Sequence, residues 1–283
     1  MHLSQSLHFN RTAEACHISP PGLTRAIQKL EEEAGTVLFQ RDNRQVNLTP
    51  AGQMLRVYAK AILENWEGFQ QQLAQSQGEI KGRIRLFCSV TASYSLLRPI
   101  LQVFREKYPQ VHILLQTGEA AQAINMVKSG DADLVIAARP DNLDSSLEFQ
   151  NMVSVPLIFI APQSHKWESL NSSHPHWEEI PFILPAHGLS RYRMDKWFKK
   201  NRLTPSIYAE VAGNEAIIAM VGLGCGIGIV PELVLKESSL AMEVRSIEPQ
   251  PKLDPYEVGF CVRSKSLSSP IVAAFWALTR RGL

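Results

Sequence analysis

NRTAEACHISPPGLTRAIQKLEEE, residues 10–33, reads as two short helices joined by a tight turn. Thr12, Ala13, Glu14 and Ala15 open the first, with small residues where a second helix can approach closely. His17, Ile18, Ser19 and Pro20 form the turn. Ser19 suits an N-cap, and Pro20 or Pro21 suits a first helical turn, where a missing backbone donor costs little. Leu23, Ile27 and Leu30 then recur at i, i+4 and i+7, giving an apolar face that can pack on the first helix. The opposite face carries Thr24, Arg25, Gln28 and Lys29, side chains that donate to phosphates or base edges in a major groove. With Arg11 and the Ser19, Pro20 and Pro21 entry, these are the candidate DNA contacts. An ordinary amphipathic helix pair has the same pattern, so the flanking sequence has to decide.

Downstream, residues 38–41 (LFQR) and 46–49 (VNLT) are short strand-like runs around the polar segment 42–45, which reads as a hairpin wing with Arg41 and Arg44 placed to touch DNA. Pro50 starts a helical pattern that runs to about Gln77, with Leu55, Tyr58, Ala59, Ile62, Leu63, Trp66, Phe69 and Leu73 on its apolar stripe. So long a stripe, with so little sequence nearby to cover it, predicts a dimer seam. A helix docked on its own domain is the alternative.

From Gly82 the periodicity changes to alternating strand and helix. Strands are predicted at 83–87, 112–116, 134–137, 157–161 and 256–262, and helices at 96–108, 120–129 and 270–280. Such alternation predicts parallel sheets with helices on both faces. Ligands in such sheets bind beyond the carboxyl ends of the strands. Ser89, Thr91, Ala92 and Ser93 follow the first strand there and offer hydroxyls, free N–H groups and a helix dipole to an anion. Glu119 and Arg139 end other strands. Ser190 can cap a later helix, and Arg191 or Arg193 can pair with a carboxylate. The run GLGCGIG at 222–228 has neither the GxGxxG order nor a GK[ST] terminus, and reads as a tight helix-to-strand turn.

Composition limits the remaining classes. The chain has 283 residues, 45% of them hydrophobic, and a net charge of +2, while its first 82 residues hold eight Lys or Arg against eight Asp or Glu. DNA recognition must therefore come from local placement, not bulk charge. The cluster Glu31, Glu32 and Glu33 reads as a solvated face at the far end of the second helix. Neither an eighteen-residue apolar run nor a basic-then-apolar leader is present, which points to the cytoplasm and away from a membrane. Cys16, Cys88, Cys225 and Cys261 lack metal-ligand spacing and read as reduced thiols, with a redox role for Cys88 or Cys225 a minor alternative. No cofactor motif, nucleophile elbow or useful carboxylate pair is present, which argues against an enzyme.

Residues 8–52 (HFNRTAEACHISPPGLTRAIQKLEEEAGTVLFQRDNRQVNLTPAG) and 221–231 (VGLGCGIGIVP) resemble the LysR-type transcriptional regulators, and the resemblance covers nearly the whole chain. It implies a winged helix-turn-helix at 1–49, a linker and dimerisation helix at 50–78, and an effector domain at 82–283 that resembles a periplasmic binding protein. Lobe I would span about 82–153 and 256–283, and lobe II about 154–255. Family members have a longer lead into the counterpart of His2, so the resemblance implies a shortened first helix that leaves Leu7, Phe9 and Ile27 less covered. It also implies double-stranded operator DNA, a homodimer or homotetramer, and RNA polymerase as partners. RDNRQVNLTPAG, FCSVTASYS, WFKKN and AFWAL are similar to a branch of the family governing isoleucine and valine biosynthesis. That likeness implies an activator answering a small anionic effector such as acetolactate or acetohydroxybutyrate. A regulator or repressor of another pathway, sensing another metabolite, is the alternative.

Overall fold

Why Ser19 begins a helix is visible in the computed structural model, which describes residues 1–42, 45–76, 79–164, 177–247 and 253–280. The chain divides into two units, 1–73 and 74–283. The first begins with α1 (His2–Ser6), α2 (Phe9–Ala15) and α3 (Pro20–Ala34). The Ser19 hydroxyl accepts the Gly22 N–H at 3.2 Å, and Gly35 at φ 63° ends α3 in the left-handed region that glycine tolerates. β1 (Phe39–Asp42) pairs antiparallel with β2 (Gln45–Leu48), and α4 (Pro50–Ser76) follows. The core is small: Leu3, Leu38 and Phe39 are buried, with Phe9, Ile27, Val46, Leu48 and Leu55 against them. Leu23 is buried too, whereas Leu30, expected on the same apolar face, is 39% exposed because the core ends a turn earlier.

Two polar ties compensate for that small core. The Glu31 carboxylate accepts the N–H groups of Leu38 (2.8 Å) and Phe39 (3.0 Å), so it fastens α3 to the start of the wing and is not the solvated group expected of it. Glu32 and Glu33 are exposed as expected. The Thr49 hydroxyl donates to the Val37 carbonyl at 2.7 Å and accepts the Gly52 N–H at 3.0 Å. A Cβ on Gly52 would come within 2.1 Å of the Leu38 carbonyl oxygen, so glycine is what lets α4 approach the wing strand.

The second unit opens with β3 (Gly82–Cys88), α5 (Val90–Ala92), a π turn at 93–97 and α6 (Arg98–Lys107). β4 (Val111–Thr117), α7 (Ala123–Ser129), β5 (Leu134–Ala138) and β6 (Leu147–Val155) follow. β7 (Leu157–Pro162), β8 (Pro181–Pro185), α8 (Gly188–Asn201), β9 (Ser206–Val211), α9 (Asn214–Gly222), β10 (Ile227–Pro231), α10 (Glu232–Lys236) and β11 (Val244–Ile247) build a second lobe. β12 (Tyr256–Arg263) and α11 (Pro270–Thr279) return to the first.

Each lobe contains one five-stranded sheet, ordered β4-β3-β5-β12-β6 and β11-β7-β10-β8-β9. The expectation of parallel sheets needs correction, because both are mixed. β12 runs antiparallel to β5 and β6, and β7 runs antiparallel to β10 and β11. The cause is connectivity: β6 turns directly into β7 with only Pro156 between them, so no helix crosses over there and the strands beside these crossings pair antiparallel. Gly224, at φ 83°, and Gly226 form the expected turn from α9 into β10, and Gly228 lies within that strand. A Cβ on Gly226 would lie 2.4 Å from the Pro181 carbonyl oxygen.

The first lobe packs on Phe104, which is fully buried with its ring 4.9 Å from Phe275 and 5.1 Å from Tyr108. Phe104→Ala should cost about 3–5 kcal/mol of unfolding free energy in urea. A loss below about 1 kcal/mol would mean that the cavity collapses and that this ring does not organise the lobe.

Candidate DNA-reading face and effector cleft

In the first unit, α3 presents Pro20, Pro21, Arg25, Gln28 and Lys29 to solvent, with Ser19 exposed at its entry, Arg11 exposed on α2 and Thr24 half-buried. Lys29 has a partner in Glu33, at 3.9 Å. Both are well exposed, and such a pair contributes at most about 1 kcal/mol, so a phosphate can displace the glutamate. Arg44 lies outside the described residues, and Arg41 is described only in its backbone, within β1. The face therefore has the donors that base edges and phosphates need, carried on α3 with Arg11 added from α2.

On α4, Tyr58, Ile62, Leu63, Trp66, Phe69 and Leu73 are exposed, and so are Met54 and Val57, which the sequence reading did not include. Trp66 and Phe69 stack at 5.7 Å. Leu55 departs from the expected stripe because it packs into the small core. A stripe this long exceeds what a monomer usually leaves open and marks a protein-binding face.

Between the lobes of the second unit lies a cavity of about 560 Å³, within the size range of small-ligand sites. Its walls come from the carboxyl ends of β3, β4, β5, β8 and β9, and its floor from the crossing strands through Val155, Tyr256 and Val258. Ser89, Thr91, Ala92, Glu119 and Ser190 line it, as the sequence reading expects of effector contacts. The Ser89 hydroxyl accepts the Ala92 N–H at 3.2 Å, so it also caps the helix that follows. Ser93, Arg139, Arg191 and Arg193 are not in the lining. Ser93 donates to the Val90 carbonyl at 2.6 Å, and exposed Arg139 lies 6.0 Å from the Phe149 ring. Arg191 turns outward to Asp195 at 2.9 Å and to Glu210. Arg193 donates to the carbonyls of Asp254 and Pro255 and stacks 4.7 Å over Tyr256, which makes it a clamp on the crossing and not a ligand anchor.

Contacts between residues of the two lobes line the cavity. The Thr91 hydroxyl donates to Glu215 at 3.0 Å, and His187 Nε2 meets the Glu119 carboxylate at 3.0 Å. Gly188, at φ 87°, brings α8 so close to the other lobe that a Cβ would lie 2.7 Å from the Ala121 side chain. Burial pushes the Tyr256 phenol up to about 12, against the smaller opposing effects of Ser190 and Arg193, so it stays neutral and shares a short hydrogen bond with Ser190. Glu215, Asn214 and His187 were not singled out from sequence, although 212–215 follows β9 just as 89–93 follows β3, and the same strand-end rule applies to it. Tyr256 begins a strand and gave no signal.

Two of the four thiols, Cys88 and Cys261, are buried. Burial raises Cys88 to about 11 and Cys261 to about 12, which leaves almost no thiolate near neutral pH. Among the described residues no helix is long and apolar enough to cross a membrane.

Residues 1–53 match the bacterial regulatory helix-turn-helix protein of the lysR family, and residues 77–283 match the LysR substrate binding domain. The chain belongs to the LysR family of transcriptional regulators: a DNA-binding regulator with a small-molecule domain, and not an enzyme. It is similar to the HTH-type transcriptional activator IlvY of Haemophilus influenzae, 41% identical over 281 residues that cover 98% of this chain and 96% of that protein. It is equally similar to the HTH-type transcriptional regulator IlvY of Escherichia coli, 41% identical over 283 residues covering 98% and 95%. Among solved structures, a variant of full-length OxyR from Pseudomonas aeruginosa superposes with a TM-score of 0.68 at 22% identity, covering 98% of this chain and 90% of that one, a likeness of fold.

Arg25→Ala should weaken operator binding and lower the slope of log K against log salt by about 1 if the side chain holds a phosphate. If it reads a base edge, binding should fall by about 1–3 kcal/mol on the operator and hardly at all on random DNA. Titration on both DNAs at several salt concentrations separates these, and an unchanged affinity on both removes Arg25 from the interface.

Proposed function

We propose that this chain is a cytoplasmic activator of genes of isoleucine and valine biosynthesis, working as a homodimer or homotetramer and answering a small hydroxy acid such as acetolactate or acetohydroxybutyrate. The observation that carries the reading is the 41% identity to IlvY proteins across 98% of the chain, spanning the DNA-reading helix and the cleft alike. We assign residues 1–49 to DNA reading, 50–78 to self-association through the exposed stripe of α4, and 82–283 to effector sensing. RNA polymerase is the remaining partner of an activator.

The cleft chemistry supports the ligand class. Val90, Leu96, Ile124, Ile136 and Ile217 give it apolar walls, while Ser89, Thr91, Ser190 and Asn214 offer hydrogen bonds. Such a site suits a short branched carbon chain carrying hydroxyl, carbonyl and carboxylate groups. A ligand that prefers one separation of the lobes shifts the population toward it. In a dimer, that shift changes how two recognition helices are spaced along the DNA. Effector binding therefore acts on the geometry of the complex and need not tighten DNA affinity.

Footprinting of the chain on DNA beside an acetohydroxy acid isomeroreductase gene of its own organism, with and without acetolactate, tests this. An altered footprint with acetolactate is the expected result, and Ser89→Ala combined with Thr91→Val should abolish the alteration. Binding that ignores acetolactate rejects the effector, and failure to bind that DNA rejects the target.

A further inference from the structure

The cavity has an unexpected charge inventory for a site expected to hold an anion. Among its described lining residues there is neither lysine nor arginine, and the ionisable groups are Glu119, Glu215, His187 and Tyr256. Tyr256 stays neutral. Glu215 already accepts from Thr91 at 3.0 Å. That leaves His187 as the one basic side chain of the described lining, beside the neutral donors Ser89, Ser190 and Asn214, and Glu119 occupies its Nε2 at 3.0 Å. A ligand carboxylate has the same acceptor chemistry as the Glu119 side chain. The two would compete for the His187 donor, and two carboxylates so close together would also repel each other.

We infer that the cleft takes its ligand by exchange: the ligand's carboxylate replaces Glu119 at His187, so that His187 favours a monocarboxylic hydroxy acid over its neutral analogues and the competing Glu119 limits that preference. The inference rests on the ligand class proposed above and names the residues that read its charge. Three features support it. His187 is half-exposed, so its bond to Glu119 is reachable from solvent and is made in a screened environment where an equivalent acceptor can displace it. Glu119, with its side chain only 18% exposed, sits deeper and stays in the site once displaced, where it accepts from a ligand hydroxyl. The two residues belong to different lobes, Glu119 after β4 and His187 before α8, so the exchange removes a lobe-to-lobe bond and substitutes a ligand bridge. Ligand binding and lobe separation are thereby coupled through one hydrogen bond. The carboxylates also explain why hydroxyls matter: Glu119 and Glu215 are acceptors, and only a donor on the ligand satisfies them.

The test is calorimetric titration of the full chain and its variants with acetolactate, lactate, 2-hydroxyisovalerate and the uncharged hydroxyketone acetoin. Melting temperature reports whether each variant folds. Glu119→Gln keeps the shape but removes the competing charge, and should raise the preference for acetolactate over acetoin several-fold, on the order of tenfold at most. His187→Leu should lower that preference by roughly tenfold or more, and His187→Gln, which retains a donor without the ring, should restore part of it. A merely structural role would weaken acid and ketone alike and leave their ratio unchanged. If acetolactate binds and neither substitution moves the ratio, the exchange is overturned while the ligand class stands. If lactate or 2-hydroxyisovalerate binds with the expected responses and acetolactate does not, the exchange stands and acetolactate is rejected as effector. Binding of none of the three acids overturns both.

Discussion

The crossing of the chain between its two sheets is the constraint on which the sensing unit depends. β6 ends at Val155 in one sheet and β7 starts at Leu157 in the other, and the return enters β12 at Tyr256. Pro156, between them, cannot donate to either ladder, and its carbonyl is taken by the Glu232 N–H at 2.9 Å. Because both passages lie side by side, the lobes remain separate cores that can change their spacing only about this floor. The cleft follows from that, since strands of both lobes end facing it. Arg193 and the Ser190–Tyr256 hydrogen bond secure the floor, with Arg193 tied to the backbone just ahead of Tyr256.

The DNA-reading unit meets a different constraint, a shortage of apolar material. With three buried apolar side chains in its main cluster, it uses Glu31 and Thr49 to satisfy backbone groups of the wing entry. Hydrogen bonds to a charged carboxylate contribute about 1.5–3 kcal/mol each, which is large beside so small a core. Glu31 thus ties the wing strand to the same helix that carries Arg25 and Gln28.

Polar side chains were the least legible part of the sequence. Arg191 and Arg193 look like anion anchors next to a helix start, yet Glu210, Asp195 and the Asp254 and Pro255 carbonyls claim them, and all of these partners but Asp195 lie far away in sequence. Ser89 and Thr91, by contrast, stand where expected, because the end of β3 fixes their position locally. The same locality made the cap at Ser19 and the strands at 83–87 and 256–262 readable.

Local periodicity and turn chemistry thus determined the helix-turn-helix, the long helix with its apolar stripe and the α/β character of the second unit, because each depends on residues within a few positions of one another. Tertiary structure alone decided that both sheets are mixed, that Glu31 is a structural tie, and that His187 and Glu119 meet across the cleft. Such pairings join groups that are distant in the chain, and long-range proximity leaves no periodic trace in the order of residues.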